Sequence, residues 1–365
     1  MPKKSSNRPA KSNSLILSAV IGFWIFALLA VLFEGLFRWT PLDGALRMRS
    51  AGNFHTQFEI KWFSLKDYAR KHGGVDVILM GNSMVNTGID PEILAKEYAD
   101  RTGIKLRVFN FGVEGLTVAP NSLVARLLVD EYHPAAIVFV TEMRDYTAAN
   151  GVEVAEQLLG DPWLTARLGG ESNIRTRLID RSTYIQHLLP FRNWNRDDFP
   201  DTFLSSAQRF LDTTRAGYEP DMFIDGTPWI PPDPEDPQQQ ALFEMFSDYT
   251  MDPDRLANLA DLLSLSSEGT RVVITELPLH PNYFAYFSDP SAHEKYLEEL
   301  IPFITSRNGV FLLPVASKLI PDSFRSDYYH LNYMGAVQYS FLLAEQLADL
   351  CLNESDCLMP AEQPE

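Results

Sequence analysis

The sequence predicts an α/β protein: a parallel sheet covered by helices on both faces, carried behind an N-terminal membrane-spanning helix. Three observations lead there. Short apolar runs alternate with helix-like segments along much of the chain, the pattern of successive βαβ units. Near the N-terminus, "SLILSAVIGFWIFALLAVLF" runs from Ser14 to Phe33 without a charge, and a spanning helix needs ~20 such residues. Between about Thr147 and Gly269 the α/β rhythm is lost, which predicts an insertion into the α/β domain.

At the start of the chain, residues 1–13 form a basic leader with Lys3, Lys4, Arg8 and Lys11. Residues 14–36 are the anchor. Positive charge before the span and Glu34 after it predict a cytoplasmic N-terminus and an extracytoplasmic remainder. A cleaved signal peptide is the rival, but its apolar core usually runs only about 7–15 residues. Residues 37–74 read as a stalk or approach segment. The α/β domain occupies 75–350, with the insertion at about 147–269, and 351–365 is a C-terminal tail.

Within the domain, "VDVILMG" (Val75–Gly81) is a strand. "DPEILAKEYADRTG" is a helix with Asp90 as N-cap, Pro91 at the first helical position and Gly103 at its end. "KLRVFNFG" and "AAIVFVTEM" are the second and third strands, with the helix "APNSLVARLLVDEYHP" between them. Downstream come a strand in "TRVVITELPL", a helix in "SAHEKYLEELIPFITSRNG", a strand in "VFLLPV" and a closing helix in "YMGAVQYSFLLAEQLADL". The insertion holds amphipathic helical stretches and the Pro-rich "YEPDMFIDGTPWIPPDPEDPQQQ", which cannot be regular throughout. It reads as a cap or cleft wall, or else a surface excursion. Trp194 and Trp229 favour packed structure.

At 365 residues, the chain can bury a large core. A net charge of −17 argues against general nucleic-acid binding, which needs a basic surface. The two cysteines, Cys351 and Cys357, form either a small local disulfide outside the cytoplasm or two free thiols.

The chemistry-bearing residues lie where strands end. Ser83, in "MGNSM", follows the first strand directly. A turn residue there would be unremarked. A nucleophile there needs a base, an orienting acid and oxyanion donors. "DSFRSDYYHLNYMGA" supplies Asp327 and His330 just before the last helix, an acid to fix a histidine tautomer and the histidine to move the proton. "FNFGVEG" supplies Gly112 and Gly115 at the end of the second strand, where backbone N–H groups can approach a substrate. His280 follows the fourth strand and reads as a substrate contact or a hydrogen-bonded loop histidine. None of the seven histidines belongs to an H-E-x-x-H set.

Taken together and in this order, Gly81-Asn82-Ser83-Met84, Asn110-Phe111-Gly112 and Asp327-Tyr328-Tyr329-His330 resemble the motif blocks of the SGNH (GDSL-type) hydrolase superfamily. The resemblance covers both ends of the α/β domain and leaves its middle unexplained. It implies a flavodoxin-like three-layer sandwich with five parallel strands and a serine nucleophile acting on acyl esters. It also implies a site of Ser83, His330 and Asp327, with Gly112 as an oxyanion donor, Asn110 beside the substrate, and no metal or organic cofactor. One block departs from the family: its Gly-x-Asn-Asp is replaced by Thr141-Glu142-Met143-Arg144-Asp145, which lacks the oxyanion asparagine. Arg144 is the candidate replacement, or it pairs with Asp145 or Glu142. The anchor resembles the membrane-bound branch working on envelope polymers, such as the D-alanyl transfer protein of teichoic acids and the alginate O-acetylation proteins. The expected function is an extracytoplasmic serine esterase or O-acyltransferase on an acylated glycan or another acyl ester, with a membrane O-acyltransferase as a candidate partner. A non-catalytic scaffold that binds glycan or supports such a complex is the alternative.

Overall fold

The computed structural model describes residues 11–40, 42, 44–53, 55–149, 157–158, 160–169, 173–223, 231–237, 239–354 and 357–360. Lys3, Lys4, Arg8 and Trp229 lie outside these. The sheet has five parallel strands, β1 (Val77–Gly81), β2 (Val108–Gly112), β3 (Ala136–Thr141), β4 (Arg271–Glu276) and β5 (Val310–Phe311), in the order β2-β1-β3-β4-β5. The first three strands are buried along their whole length, so each appears in the sequence as a nearly continuous apolar run. Gly81 pairs with Gly112 and Thr141 with Glu276. The carboxyl ends of these strands therefore make one edge, where open α/β sheets bind their ligands.

The helices, numbered in chain order, begin with α1 (Lys11–Trp39), α2 (Thr56–His72), α3 (Ser83–Gly88), α4 (Pro91–Thr102) and α5 (Val118–Tyr132). Between β3 and β4 come α6 (Pro162–Leu168), α7 (Ile174–Arg181), α8 (Thr183–Leu188), α9 (Phe199–Asp212), α10 (Gln240–Phe246) and α11 (Pro253–Ser264). α12 (Ala292–Thr305) joins β4 to β5, and α13 (Tyr333–Glu354) closes the domain. The caps of α4 are those the sequence predicts. Asp90 accepts hydrogen bonds from the N–H groups of Glu92 and Ile93, and Gly103 ends the helix at a φ of +77°.

In α1, Ile16–Trp39 is long and apolar enough to cross a membrane, and none of its most apolar stretch is buried in the domain. The segment after α1 is not the expected stalk. Phe58, Trp62 and Leu65 of α2 are fully buried and α2 lies against β2. Their spacing of four and three residues gives the helix one apolar face. Nor is the junction with α1 loose. Glu34 accepts hydrogen bonds from Ser182 Oγ (2.8 Å) and the N–H groups of Thr183 (2.9 Å) and Tyr184 (3.1 Å), and Phe33 stacks on Tyr184. The end of the apolar helix is thus fastened to α8.

The described residues between β3 and β4 are mostly helical. Its last helix, α11, lies along α5: Arg255 donates to Thr117 Oγ1 at 2.6 Å, and Leu259, Leu262 and Leu263 enter the core. Trp194 is exposed rather than packed. Cys351 and Cys357 are joined as a disulfide. Just beyond it, Leu358 is buried and exchanges hydrogen bonds with the Tyr98 hydroxyl on α4. The described part of the tail is therefore docked.

Candidate active site

The turn from β1 into α3 explains why a buried strand ends in a hydroxyl residue. Gly81 has a φ of +150°, a conformation disfavoured by side chains. A Cβ there would lie 2.5 Å from Val85 Cγ2 and 2.6 Å from the Val140 carbonyl oxygen. Asn82, in extended conformation, caps α3 by accepting from Met84 N–H at 2.9 Å. Ser83 is then the first residue of the helix. Its N–H has no helical acceptor behind it, and its side chain sits at the carboxyl edge.

The second part comes from the loop before α13, some 247 residues later. This loop is closed by an antiparallel bridge between Arg325 and Leu331. It is held from below by the buried Arg325 guanidinium, which donates to the Pro278 and Ser317 carbonyl oxygens. Asp327 Oδ1 accepts from the N–H groups of Tyr329 (2.8 Å) and His330 (2.7 Å), folding Asp-x-x-His into a turn. Its other oxygen, Oδ2, lies 2.7 Å from His330 Nδ1. His330 Nε2 in turn lies 2.8 Å from Ser83 Oγ. With the Nδ1 proton facing the carboxylate, Nε2 is left to accept from the serine hydroxyl. Burial pushes the Asp327 carboxyl up, but its hydrogen bonds and proximity to His330, with the two backbone donors, outweigh this and hold it below the usual carboxylate range. It stays ionised, as an orienting acid must. Ser83, His330 and Asp327 thus come together as the sequence predicts.

The other residues singled out in the sequence do not join them. Asn110 is fully buried; its amide donates to the Val85 (2.7 Å) and Ile89 (2.8 Å) carbonyl oxygens and so ties α3 to β2. It is not a substrate contact. Gly112 is not an oxyanion donor, because its N–H donates to Asn110 Oδ1 at 2.9 Å. Its missing side chain matters for packing, since a Cβ would lie 2.4 Å from the Asn86 nitrogen. His280 is also buried. Its Nδ1 accepts from Asn282 N–H and its Nε2 lies 3.3 Å from Asp322, while its own N–H donates to the Tyr328 carbonyl oxygen. It supports the loop that carries Asp327 and His330.

Arg144 pairs with Glu142, and its guanidinium carbon lies 4.3 Å from the centre of the Tyr329 ring. That ring is packed against His330, with centroids 4.4 Å apart. Of the two readings of Arg144, these contacts favour the ion pair with Glu142 over the oxyanion donor. Glu142 is nearly inaccessible; besides Arg144 it accepts from Asn82 Nδ2 (2.9 Å) and the Tyr283 hydroxyl (3.1 Å). Burial would lower the Arg144 pKa, but the Glu142 charge beside it holds it well above its ordinary value. Burial and the same Glu142 charge push the neighbouring Asp145 carboxyl up.

Glu142 therefore reaches the Ser83 turn through Asn82, and Arg144 reaches His330 through Tyr329. Sequence reading missed Glu142, Asn82 and Tyr329 as positioning residues. The available signal was an acidic residue and an arginine two positions apart at the end of a central strand. Comparison of the sequence with protein-family models and with curated proteins finds no match.

Proposed function

We propose that the protein is an SGNH-type serine enzyme acting on acyl esters, with Ser83 as nucleophile, His330 as general base and Asp327 as its orienting acid. The observation that carries this reading is the unbroken run of hydrogen bonds from Asp327 Oδ2 through the His330 ring to Ser83 Oγ. The β2-β1-β3-β4-β5 order supports a flavodoxin-like three-layer arrangement, with the segment between β3 and β4 as an elaboration of it.

In the first half-reaction, Ser83 Oγ attacks the ester carbonyl carbon and its proton moves to His330 Nε2. The imidazolium is stabilised by the Asp327 carboxylate. When the tetrahedral intermediate collapses, the C–O bond to the leaving alcohol breaks and Nε2 returns the proton to that oxygen. Water, or a hydroxyl of an acceptor sugar, then attacks the acyl-serine by the same route in reverse. The oxyanion faces the N–H of Ser83. We assign the second donor to Gly115 in place of Gly112. Val113 N–H bonds the Gly81 carbonyl oxygen, so the chain after β2 runs past the start of the nucleophile turn, and Gly115 is exposed there with a φ of +73°.

The apolar Ile16–Trp39 helix supports an anchored enzyme. With the disulfide, it favours an extracytoplasmic domain, and hence an envelope or exported glycan as the acyl carrier. A fluorophosphonate probe tests the reading. Labelling of the peptide containing Ser83, abolished in Ser83→Ala, is the expected result. A folded protein that neither takes the probe nor turns over an activated ester is instead a non-catalytic scaffold.

A further inference from the structure

Where α1 leaves its apolar stretch, the domain presents a second apolar surface. A groove of about 1120 Å³ is lined on one side by α1, including Phe26, Val31 and Trp39, and on the other by Ile174, Leu178 and Ile185. Ile174 and Leu178 stand one turn apart on α7 and are 78% and 52% exposed. Large aliphatic side chains this exposed, paired on one helix face, are a binding surface rather than scattered surface residues.

The charges around this face are equally distinctive. In a chain of net charge −17, α7 reads "IRTRLIDR", with Arg175, Arg177 and Arg181 against Asp180 alone. Asp180 is directed inward, accepting from Trp163 Nε1 and pairing with Arg167. Arg177 and Arg181 lie on the rim of the groove, and Arg38 joins them from α1. An apolar face bordered by arginines is the composition of a helix lying in a membrane interface.

Geometry sets the depth. The apolar run of α1 from Ile16 to Phe33 spans roughly 27 Å at 1.5 Å per residue, close to the ~30 Å of a hydrocarbon core. Glu34 then marks the boundary, and it is the residue fastened to Ser182, Thr183 and Tyr184 at the junction of α7 and α8. Trp39, 81% exposed, stands one turn further out, where tryptophan anchors helices at the headgroup level.

We propose that α7 lies in the interface of the bilayer that α1 crosses. Ile174 and Leu178 enter the acyl region beside α1, and Arg177 and Arg181 lie at the phosphates. The occupant of the groove is lipid acyl chain. The domain therefore rests on the membrane in one orientation instead of swinging on a tether. This rests on α1 spanning the bilayer, and it does not depend on whether Ser83 is catalytic.

The test uses the full chain in phosphatidylcholine vesicles, with single Leu178→Cys, Ile174→Cys, Phe26→Cys and Leu123→Cys variants labelled with an environment-sensitive fluorophore. Leu123 on α5 is a surface control. Lipids brominated near the headgroup or near the chain end report depth, and aqueous iodide reports exposure. The 174 and 178 labels should be quenched most by bromine near the headgroup and shielded from iodide. The Phe26 label should respond most to deep bromine, and the Leu123 label to iodide alone. If both α7 labels behave like Leu123 while Phe26 reports deep bromine, the interfacial helix is overturned and the anchor stands. If the Phe26 label is itself open to iodide, the spanning helix fails and the proposal fails with it. Two positions on one face guard against one variant perturbing the helix.

Discussion

Ser83 and Asn110 are both polar residues at the carboxyl edge of the sheet, on strands so aligned that Gly81 pairs with Gly112. They differ in where their hydrogen bonds go. Ser83 is half-buried and its hydroxyl meets His330 Nε2, a group brought from the far end of the chain. Asn110 is inaccessible, and its amide is committed to the backbone of α3 and β2. Buried polar groups must find partners or cost free energy. The Asn110 cluster is such a solution, a polar joint inside the fold. The Ser83 cluster keeps a half-buried hydroxyl beside an imidazole and an ionised acid, which stability alone does not require. Proximity to a strand end is shared by both; accessible, uncommitted chemistry belongs only to the first.

The sharpest way to break this contrast is to remove the outward cluster. Ser83→Ala and His330→Ala should each lower turnover of an activated ester by about 10⁴-fold or more. Melting temperatures should barely move, because neither side chain supports the core. Near-normal turnover by a folded His330→Ala protein would show that the hydrogen-bonded triad is not the catalytic apparatus.

The Ser83–His330–Asp327 cluster was legible in the sequence because the chemistry proposed for it demands particular residue types. Asp-x-x-His is short enough to fold on itself, and a serine directly after an apolar strand can only stand at the sheet edge. The α4 boundaries were legible for a similar reason: Asp90, Pro91 and Gly103 each act within one turn. Asn110, Gly112 and His280 were misread because position along a strand does not give the direction of a side chain or the partner waiting for it. α2 was overlooked because Lys61, Lys66 and Asp67 lie among its apolar residues, although Phe58, Trp62 and Leu65 have helical spacing. The bond from Asn82 to Glu142 had no local signature at all, since it joins residues 60 apart, each just beyond the end of a different strand.

Arg144 lies between the two regions, and its replacement decides to which it belongs. Arg144→Ala would leave a nearly inaccessible Glu142 without its cation, a loss of about 3 kcal/mol when a buried pair is broken. Through Tyr329 and Asn82 it should also disturb the triad, lowering kcat by about tenfold, well short of the 10²–10³ typical of a lost oxyanion donor. Steady-state kinetics beside a denaturant titration separates these outcomes. A fall of 10²–10³ in kcat with stability unchanged would move Arg144 into the oxyanion hole.

Asn110→Ala tests the inward cluster directly. It deprives the Val85 and Ile89 carbonyl oxygens and the Gly112 N–H of their side-chain partner, which should cost about 2 kcal/mol of stability. The folded fraction should keep most of its activity, measured as active-site titre against folded protein. A large loss of kcat at full stability would return Asn110 to the substrate.

The finest test is the pH dependence of Lys61 beneath the same joint. Its ammonium is fully buried and donates to the Gly217 and Asn110 carbonyl oxygens. Burial lowers its pKa to about 7 from an ordinary 10.5, despite the opposing charge of Glu219. Between those values the unfolded chain holds a proton that the folded chain has released. Stability from this group therefore rises with pH across that window, by up to about 1.4 kcal/mol per pH unit. Below about pH 7 both states are protonated, the slope vanishes, and the fold carries the full cost of the buried charge. Lys61→Met removes that cost together with the ammonium's hydrogen bonds, so at neutral pH the two effects should cancel to within about 1 kcal/mol. The expected signature is a change in slope: the wild-type stability minus that of the variant should increase from neutral to alkaline pH in urea titrations of the full chain in detergent. A difference independent of pH would mean that Lys61 keeps its proton in the fold. The inward cluster would then hold a permanent charge rather than a titrating one.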